Sequence, residues 1–431
     1  MRILIIGSGG REHSLCWKLA RGEDKREIYC APGNAGIAGV ARCVPIEPSD
    51  TVELADFAQG ISVDLTVVGP EVPLTLGIVD EFEKRGLRIF GPSQKAAEIE
   101  GSKVFSKQFM LKHKIPTGEF QVFESDAQAL KYIKSKDAVF PAVIKADGLA
   151  AGKGVIIAED RKVAQQAIEL MMVEKKFGSA GQRVLVEEFL QGREASFFVV
   201  SDGSRVLPMV TCQDHKRALD DDKGPNTGGM GAYSPAMLNQ EMFKQILNEV
   251  MIPTISGLAE EGRPYKGVLY AGLILTDKGP KALEFNARFG DPECQVLMPR
   301  LKGDLAPVLH AACEGHLDRV KLDWRREAAA CVVLASGGYP EKAETGKTIQ
   351  GLDADFSGPV LVYHAATRKN EAGEYLTSGG RVLNVVALGT DLTQAVERAY
   401  AAASQIRFEG MQYRRDIGRE AVAVLKGGAT G

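Results

Sequence analysis

The chain has 431 residues, a length that predicts two to four domains. Its 45% hydrophobic and 25% charged residues are those of a folded globular protein and exclude a disordered or fibrous chain. Lys and Arg (53) nearly balance Asp and Glu (56), leaving a formal charge of −3, which argues against a dedicated nucleic-acid binder with its usual basic surface.

Residues 2–100 alternate strand and helix patterns. An apolar run at 2–6 ends in GSGG and leads into a helical stretch, 11–21. A short strand, 27–31, closes on PGNAG, and helix 52–59 and strand 64–69 follow. Helix 74–85 and a last strand, 87–90, complete the set. Such alternation predicts a parallel sheet with helices on both faces and ligands beyond the carboxyl ends of the strands. From about 101 the character changes: a helix at 103–114 stops at Ile-Pro, and a small α/β unit spans about 119–192. Strands at 195–201 and 205–211 meet at an Asp-Gly turn. The polar, Gly-rich loop QDHKRALDDDKGPNTGGMG (213–231) is too long for a plain connector. Helix 239–262, strand 267–276, a DKG turn and strand 280–285 come next, and a third unit opens after Trp324 with AAACVVLAS. With no internal repeat or low-complexity linker, these units are expected to pack closely.

The 47 glycines exceed the usual ~7% and point to backbone brought close to ligands, or to many turns. Seven scattered cysteines (16, 30, 43, 212, 294, 313 and 331), an odd number without a C-x-x-C pair, argue against a disulfide framework and a thiolate zinc site. The start MRILIIG is too short for a signal h-region, and no apolar run approaches the ~20 residues of a membrane helix. The expectation is a soluble, cytoplasmic protein.

Four stretches carry chemistry. GSGG (7–10) lacks the third glycine of a dinucleotide fingerprint, which would fall at Glu12, and the second strand ends in APGNAG rather than an acid. The loop is either a phosphate cradle opening a helix or a tight turn. PAVIKADGLAAGKGVIIA (141–158) resembles a P-loop but is one residue short before Gly152-Lys153, has Gly154 where Ser or Thr would reach magnesium, and runs into a strand. It reads as a hairpin flap over a polyphosphate, with Lys145 ending an apolar strand where an ammonium group needs a partner. VLVEEFLQGREASF (184–197) offers strand-end backbone to an adenine edge and Glu194 to ribose hydroxyls, or is a solvated acidic turn. In KALEFNARFGDPE (281–293), period-2 geometry puts Glu284, Asn286 and Arg288 on one face. Two hard oxygen donors beside a guanidinium suit magnesium bridging phosphates.

GSK (101–103), IKADGLAAGKGV, EEFL and EFNARFGDPE, in that order and spacing, resemble the ATP-grasp superfamily. The whole chain, from IIGSGGREH and VGPEVPL through QDHKR, GPNTGGMGAYSP and SGGRVLNVVALG, resembles the phosphoribosylamine–glycine ligase family. The resemblance implies an α/β and α+β multidomain protein. It would have an N-terminal parallel-sheet α/β domain (1–102), a split ATP-grasp fold with a central part (103–118 and 193–325) and a flap (119–192), and a small C-terminal α+β domain (326–431). It implies ATP-dependent ligation of glycine to 5-phosphoribosylamine, the second step of de novo purine synthesis. ATP would be co-substrate, Mg2+ or Mn2+ the cofactor, and the partners small molecules only, with no nucleic acid or membrane and a monomeric chain.

Carried over residue by residue, Lys103 and Lys145 match the phosphate lysines, and Gly152, Lys153 and Gly154 the flap. Glu187, Glu188 and Leu190 match the adenine-side hinge, Glu194 the ribose contact, and Glu284 and Asn286 the metal ligands. Arg288, Asp291 and Lys145 are the expected catalytic groups. Many superfamily members carry a further acidic ligand some twelve residues upstream of the first, where this chain has Gly272. Gly9, Gly10, Arg11, Glu71 and Arg381 are expected on the phosphoribosylamine, with Asp214 and Lys216 on a loop closing over the acceptor. Two other readings compete with it. Another ATP-grasp purine enzyme, a carboxylase or formate-dependent transformylase, would differ in the acceptor loops, and a nicotinamide dehydrogenase is opposed by Glu12.

Overall fold

In the computed structural model, which describes residues 1–149 and 154–427, the run Arg2–Gly7 becomes the middle strand of a five-stranded parallel sheet. The order across it is Arg42–Cys43, Glu27–Pro32, Arg2–Gly7, Leu65–Val68, Ile89–Phe90. A parallel strand with helices on both faces must be apolar on both, and Ile3, Leu4, Ile5 and Ile6 are fully buried. Strand order reverses about Arg2–Gly7, so a crevice opens past its carboxyl end and that of Leu65–Val68. The helix expected at 74–85 is two helices, Glu71–Thr75 and Ile78–Lys84. Gly77 separates them at φ +85°, a conformation that a continuous helix does not allow.

The next layer is antiparallel, in the order Val206–Pro208, Arg193–Asp202, Lys266–Thr276, Gly279–Asn286. Between residues 119 and 192 lies a separate four-stranded sheet with its own core, built from Ile133, Ile144, Ile168, Met171 and Val184 among others. Within it Ala142–Ala146 pairs antiparallel with Val155–Ala158, so the glycine-rich turn joins two strands rather than opening a helix. Gly152 and Lys153 lie outside the described residues. The expected single helix 239–262 contains a π-helical turn, Leu247–Met251, between Gln240–Ile246 and Ile252–Glu260. Pro253 has no N–H to give its i−4 carbonyl, and the wider turn accommodates its ring.

The loop 213–231 departs most from expectation. Gln213–Asp214 and Gly231–Ser234 pair with each other, and the latter pairs with Ala328–Ala335 of the third unit. They complete a sheet with Arg381–Gly389 and Val360–His364. Between them Arg217–Leu219 and Lys223–Asn226 form a hairpin whose tip residues Asp221 and Asp222 sit at φ +57° and +50°, a conformation Asp tolerates better than most residues. Arg414 clamps this hairpin, donating to Asp222 Oδ1 (2.6 Å) and, as a fork, to both oxygens of Asp416 (2.8 and 2.7 Å).

One core cluster runs through the parallel sheet, the antiparallel sheet and the third unit, from Ile5 and Leu15 through Phe198 and Val268 to Cys331 and Val386. Helix Glu293–Arg300 lies at this junction with all its residues buried. All seven cysteines are free. No helix among the described residues is long and apolar enough to cross a membrane.

Candidate active site

A cavity of about 1210 Å3 opens where the parallel sheet, the antiparallel sheet, the 119–192 unit and the third unit meet. Its floor is the edge strand Gly279–Asn286. Glu284 and Asn286 face the cavity, while Phe285 and Ala287 are buried on the opposite face, as the strand period requires. Gly272 lies directly across from Glu284, and a Cβ there would stand 3.2 Å from Glu284 Cγ. Its glycine makes room for the Glu284 side chain. Burial alone would raise the Glu284 carboxyl, but the ammonium groups of Lys216, Lys145 and Lys103 bring it down to about 2. Lys216 Nζ stands 3.7 Å from Glu284 Oε1 and 3.4 Å from Glu194 Oε2, bridging the two carboxylates.

The two expected phosphate lysines come from different units. Lys103 starts helix Lys103–Lys112, whose N-cap Ser102 accepts the Phe105 N–H, and its Nζ donates to the Gly148 carbonyl at 2.9 Å. Asp147 fastens that helix start to the flap base, accepting from Ser102 Oγ and the Val104 N–H. Lys145 Nζ donates to Glu187 Oε2 at 2.9 Å and to the Leu283 carbonyl at 3.3 Å. Glu187 also pairs with Lys107 at 2.9 Å, and burial lowers the Lys107 ammonium to about 8 despite that partner. The Glu187 carboxylate thus faces two lysines rather than solvent. Glu188 points outward, accepting the Glu119 N–H and standing 3.5 Å from Lys281. Leu190 packs against Gly118 and lines the cavity, as does Gly154.

Arg288, just past the end of strand Gly279–Asn286, is the hub of the next group. Its Nε donates to Glu71 Oε2 (3.0 Å), Nη2 pairs with Glu100 Oε1 (2.9 Å) and bonds Asn286 Oδ1 (3.2 Å), and Nη1 donates to the Phe289 carbonyl (3.2 Å). Burial raises Glu71, yet Arg288 and Arg11 pull it down to about 2. Burial wins at Glu100, which is pushed up to about 7 against the pull of Arg288. Nearby, Asp214 is raised to about 7 by burial against Lys216, with Glu293 adding to the rise. Ser196 Oγ lies 3.4 Å from both the Asp214 and Glu293 carboxylates.

At the far end, Arg11 and Glu71 line the cavity, and Arg381 and Asp291 close it. Gly10 lies against the third unit so tightly that a Cβ would meet Asn384 Nδ2 at 2.2 Å. Asp291 accepts from Gln295 at 2.7 Å and pairs with Arg381 at 3.2 Å. Arg381 Nη1 also donates to the carbonyls of Gly228 and Asp291, both at 2.7 Å, so the residue tethers the end of the 213–231 segment. His215 Nδ1 is buried and burial lowers its ring to about 4, which keeps it neutral. Of the expected site residues among those described, all but Gly9 and Gly10 line this one cavity, and those two glycines lie behind Arg11 at the start of its helix.

Three further groups, Lys107, Glu100 and Glu293, also line it. Lys107 was legible four residues after Lys103 on one helix face. Glu100 and Glu293 carry no local signal. Among the described residues no group of three or more His, Cys, Asp or Glu is arranged to hold a metal. Glu284 and Asn286 fit a hard divalent ion only if other oxygens complete the shell.

The chain matches the models of the phosphoribosylglycinamide synthetase N domain over residues 1–100, ATP-grasp (A) domain over 101–294 and C domain over 329–420. A phosphoribosylamine–glycine ligase of Neisseria meningitidis is 50% identical over 424 residues, covering 98% of this chain and 100% of that one. The crystal structure of phosphoribosylamine–glycine ligase from Thermotoga maritima superposes with a TM-score of 0.84 at 34% identity, covering 97% of this chain and 100% of the other. The biotin carboxylase domain of a Hydrogenobacter thermophilus 2-oxoglutarate carboxylase, crystallised with magnesium ADP and bicarbonate, shares the fold (TM-score 0.74, 16% identity, 95% and 91% coverage). Three domain matches in order and half the residues identical along nearly the whole length show that the chain belongs to the phosphoribosylamine–glycine ligase family, the ATP-grasp ligases of the second step of purine biosynthesis.

Proposed function

We propose that this cavity ligates glycine to 5-phosphoribosylamine in two steps through glycyl phosphate. One observation supports this most: Lys103, Lys145, Lys216 and Arg288 all converge on the ionised Glu284 at one end of a cavity large enough for three substrates. A carboxylate is a poor electrophile and water a poor leaving group. ATP therefore gives its γ-phosphoryl group to a glycine carboxylate oxygen, releasing ADP. The amine of phosphoribosylamine then attacks the acyl carbon, and phosphate departs with the transferred oxygen.

In this reading Lys103, Lys145 and the flap carrying Gly152, Lys153 and Gly154 hold the ATP phosphates, while Arg288 faces the transferring group. Glu188 and Leu190 present the hinge to adenine and Glu194 the ribose contact, with Glu187 holding Lys145 and Lys107 in place. Glu284 and Asn286 would hold Mg2+ or Mn2+, which when bound would supply neutralisation of phosphate charge. Asn286 Nδ2, buried without a partner among the described residues, is a donor that a phosphate oxygen would satisfy. Acyl phosphates hydrolyse, so the 119–192 unit acts as the flap that excludes water.

Phosphoribosylamine lies against Gly9, Gly10, Arg11 and Glu71, with Arg381, held by its ion pair with Asp291, at its phosphate end. Asp214 and Lys216 stand over the acceptor. Residues 1–102, 103–118 with 193–325, and 326–431 are the remaining units of a cytoplasmic, monomeric enzyme. ADP release should require glycine, with neither bicarbonate nor formate able to replace it. ADP formed with either of those in the absence of glycine would contradict this reading.

A further inference from the structure

Glu12, in the first turn of helix Gly10–Leu19, stands where a dinucleotide-binding turn would need its third glycine. Glu12 is 1% exposed, yet both its oxygens are engaged. Oε2 accepts the Gly9 N–H at 2.6 Å, and Oε1 accepts the Arg11 Nε–H at 2.6 Å. The surrounding backbone is cut to its shape. A Cβ on Gly69 would stand 2.0 Å from Oε1, one on Gly7 2.6 Å from Cγ, and one on Gly9 2.9 Å from Oε2. Gly7 ends one central strand of the parallel sheet and Gly69 follows the other. The glycines in this crevice therefore make room for a protein carboxylate at the position where a dinucleotide-binding turn keeps a glycine for close helix–strand packing.

A helix cap needs only the bond to Gly9. The second bond serves Arg11, whose Nη1 donates to the Phe289 carbonyl and which lines the cavity while Glu12 stands behind it. We infer that Glu12 is the positioning residue for acceptor recognition, fixing the Arg11 guanidinium and the turn at Gly9 in the geometry that receives the phosphoribosyl group. This rests on the proposed placement of phosphoribosylamine against Gly9, Gly10 and Arg11. A planar fork anchored at Nε keeps one edge in register with an anionic ligand, which a freely rotating side chain cannot do.

Glu12→Gln keeps the shape and one acceptor but removes the charge that holds Arg11. Gly69→Ala presses on Glu12 from behind and reads the same contact should the first variant fold poorly. Both should raise the KM for phosphoribosylamine about tenfold, the loss of one charge-assisted hydrogen bond. The KM values for ATP and glycine should stay within about twofold, since the proposed placement sets phosphoribosylamine alone against Arg11. Arg11→Ala serves as reference. If Arg11→Ala raises that KM while Glu12→Gln and Gly69→Ala leave it unchanged, Glu12 is only a helix cap and the inference falls, although the placement of phosphoribosylamine stands. If Arg11→Ala also leaves it unchanged, both fall.

Discussion

Glu284→Gln is expected to lower ligase turnover by at least about a thousandfold, the several kcal/mol that an ordered divalent ion contributes to phosphoryl transfer. The amide matches the carboxylate in size, so packing on strand Gly279–Asn286 should survive and the thermal midpoint should move by only a few degrees. What disappears is the single charge on which Lys103, Lys145 and Lys216 converge. Without it the three ammonium groups repel one another, and a hard ion has only the Asn286 carbonyl left on the protein. Raising magnesium should therefore recover little activity. Normal turnover at saturating magnesium would remove Glu284 from the metal site.

Arg288→Lys should cost about a hundredfold or more in kcat despite keeping the positive charge. The guanidinium spans four acceptors (Glu71, Glu100, Asn286 and the Phe289 carbonyl), and an ammonium group cannot reach them all from one position. Arg288→Ala should also destabilise the fold by about 3–5 kcal/mol, because it leaves buried carboxylates uncompensated. The pH dependence follows from the signs. Glu71 is held at about 2 in the folded chain against an ordinary 4.5, so its share of stability is fully present above pH 4.5 and fades as pH falls towards 2. The stability gap between wild type and Arg288→Ala should narrow over that window. Equal kcat in Arg288→Lys and wild type would show that charge alone suffices there.

The parts of this site written in the sequence are those whose geometry is local. Period 2 places Glu284, Asn286 and Arg288 together, an ammonium group ending an apolar strand marks Lys145, and Glu12 with the missing second-strand acid argues against a dinucleotide turn. The parallel sheet and the antiparallel pairing of Ala142–Ala146 with Val155–Ala158 are equally legible from the strand and helix pattern. What the sequence concealed depends on partners far along the chain. Gly231–Ser234 is a strand because Ala328–Ala335 lies beside it, nearly a hundred residues later. The Asp221–Asp222 turn holds because Arg414 and Asp416 meet it. Glu100 looks like an ordinary helical acid until Arg288 and the Ala287 N–H arrive from another element. Arg381 reads as a free fork in SGGR, yet it also ties down the carbonyls of Gly228 and Asp291.

The claim at the centre of this account is that glycine is activated as an acyl phosphate, which makes one carboxylate oxygen of glycine leave with phosphate. Running the reaction with glycine labelled by ¹⁸O in its carboxylate, and analysing the released phosphate by mass, tests that claim most directly. One ¹⁸O per phosphate formed is the result expected, with the other retained in the amide carbonyl. Phosphate free of label, with both labelled oxygens accounted for elsewhere, would contradict it.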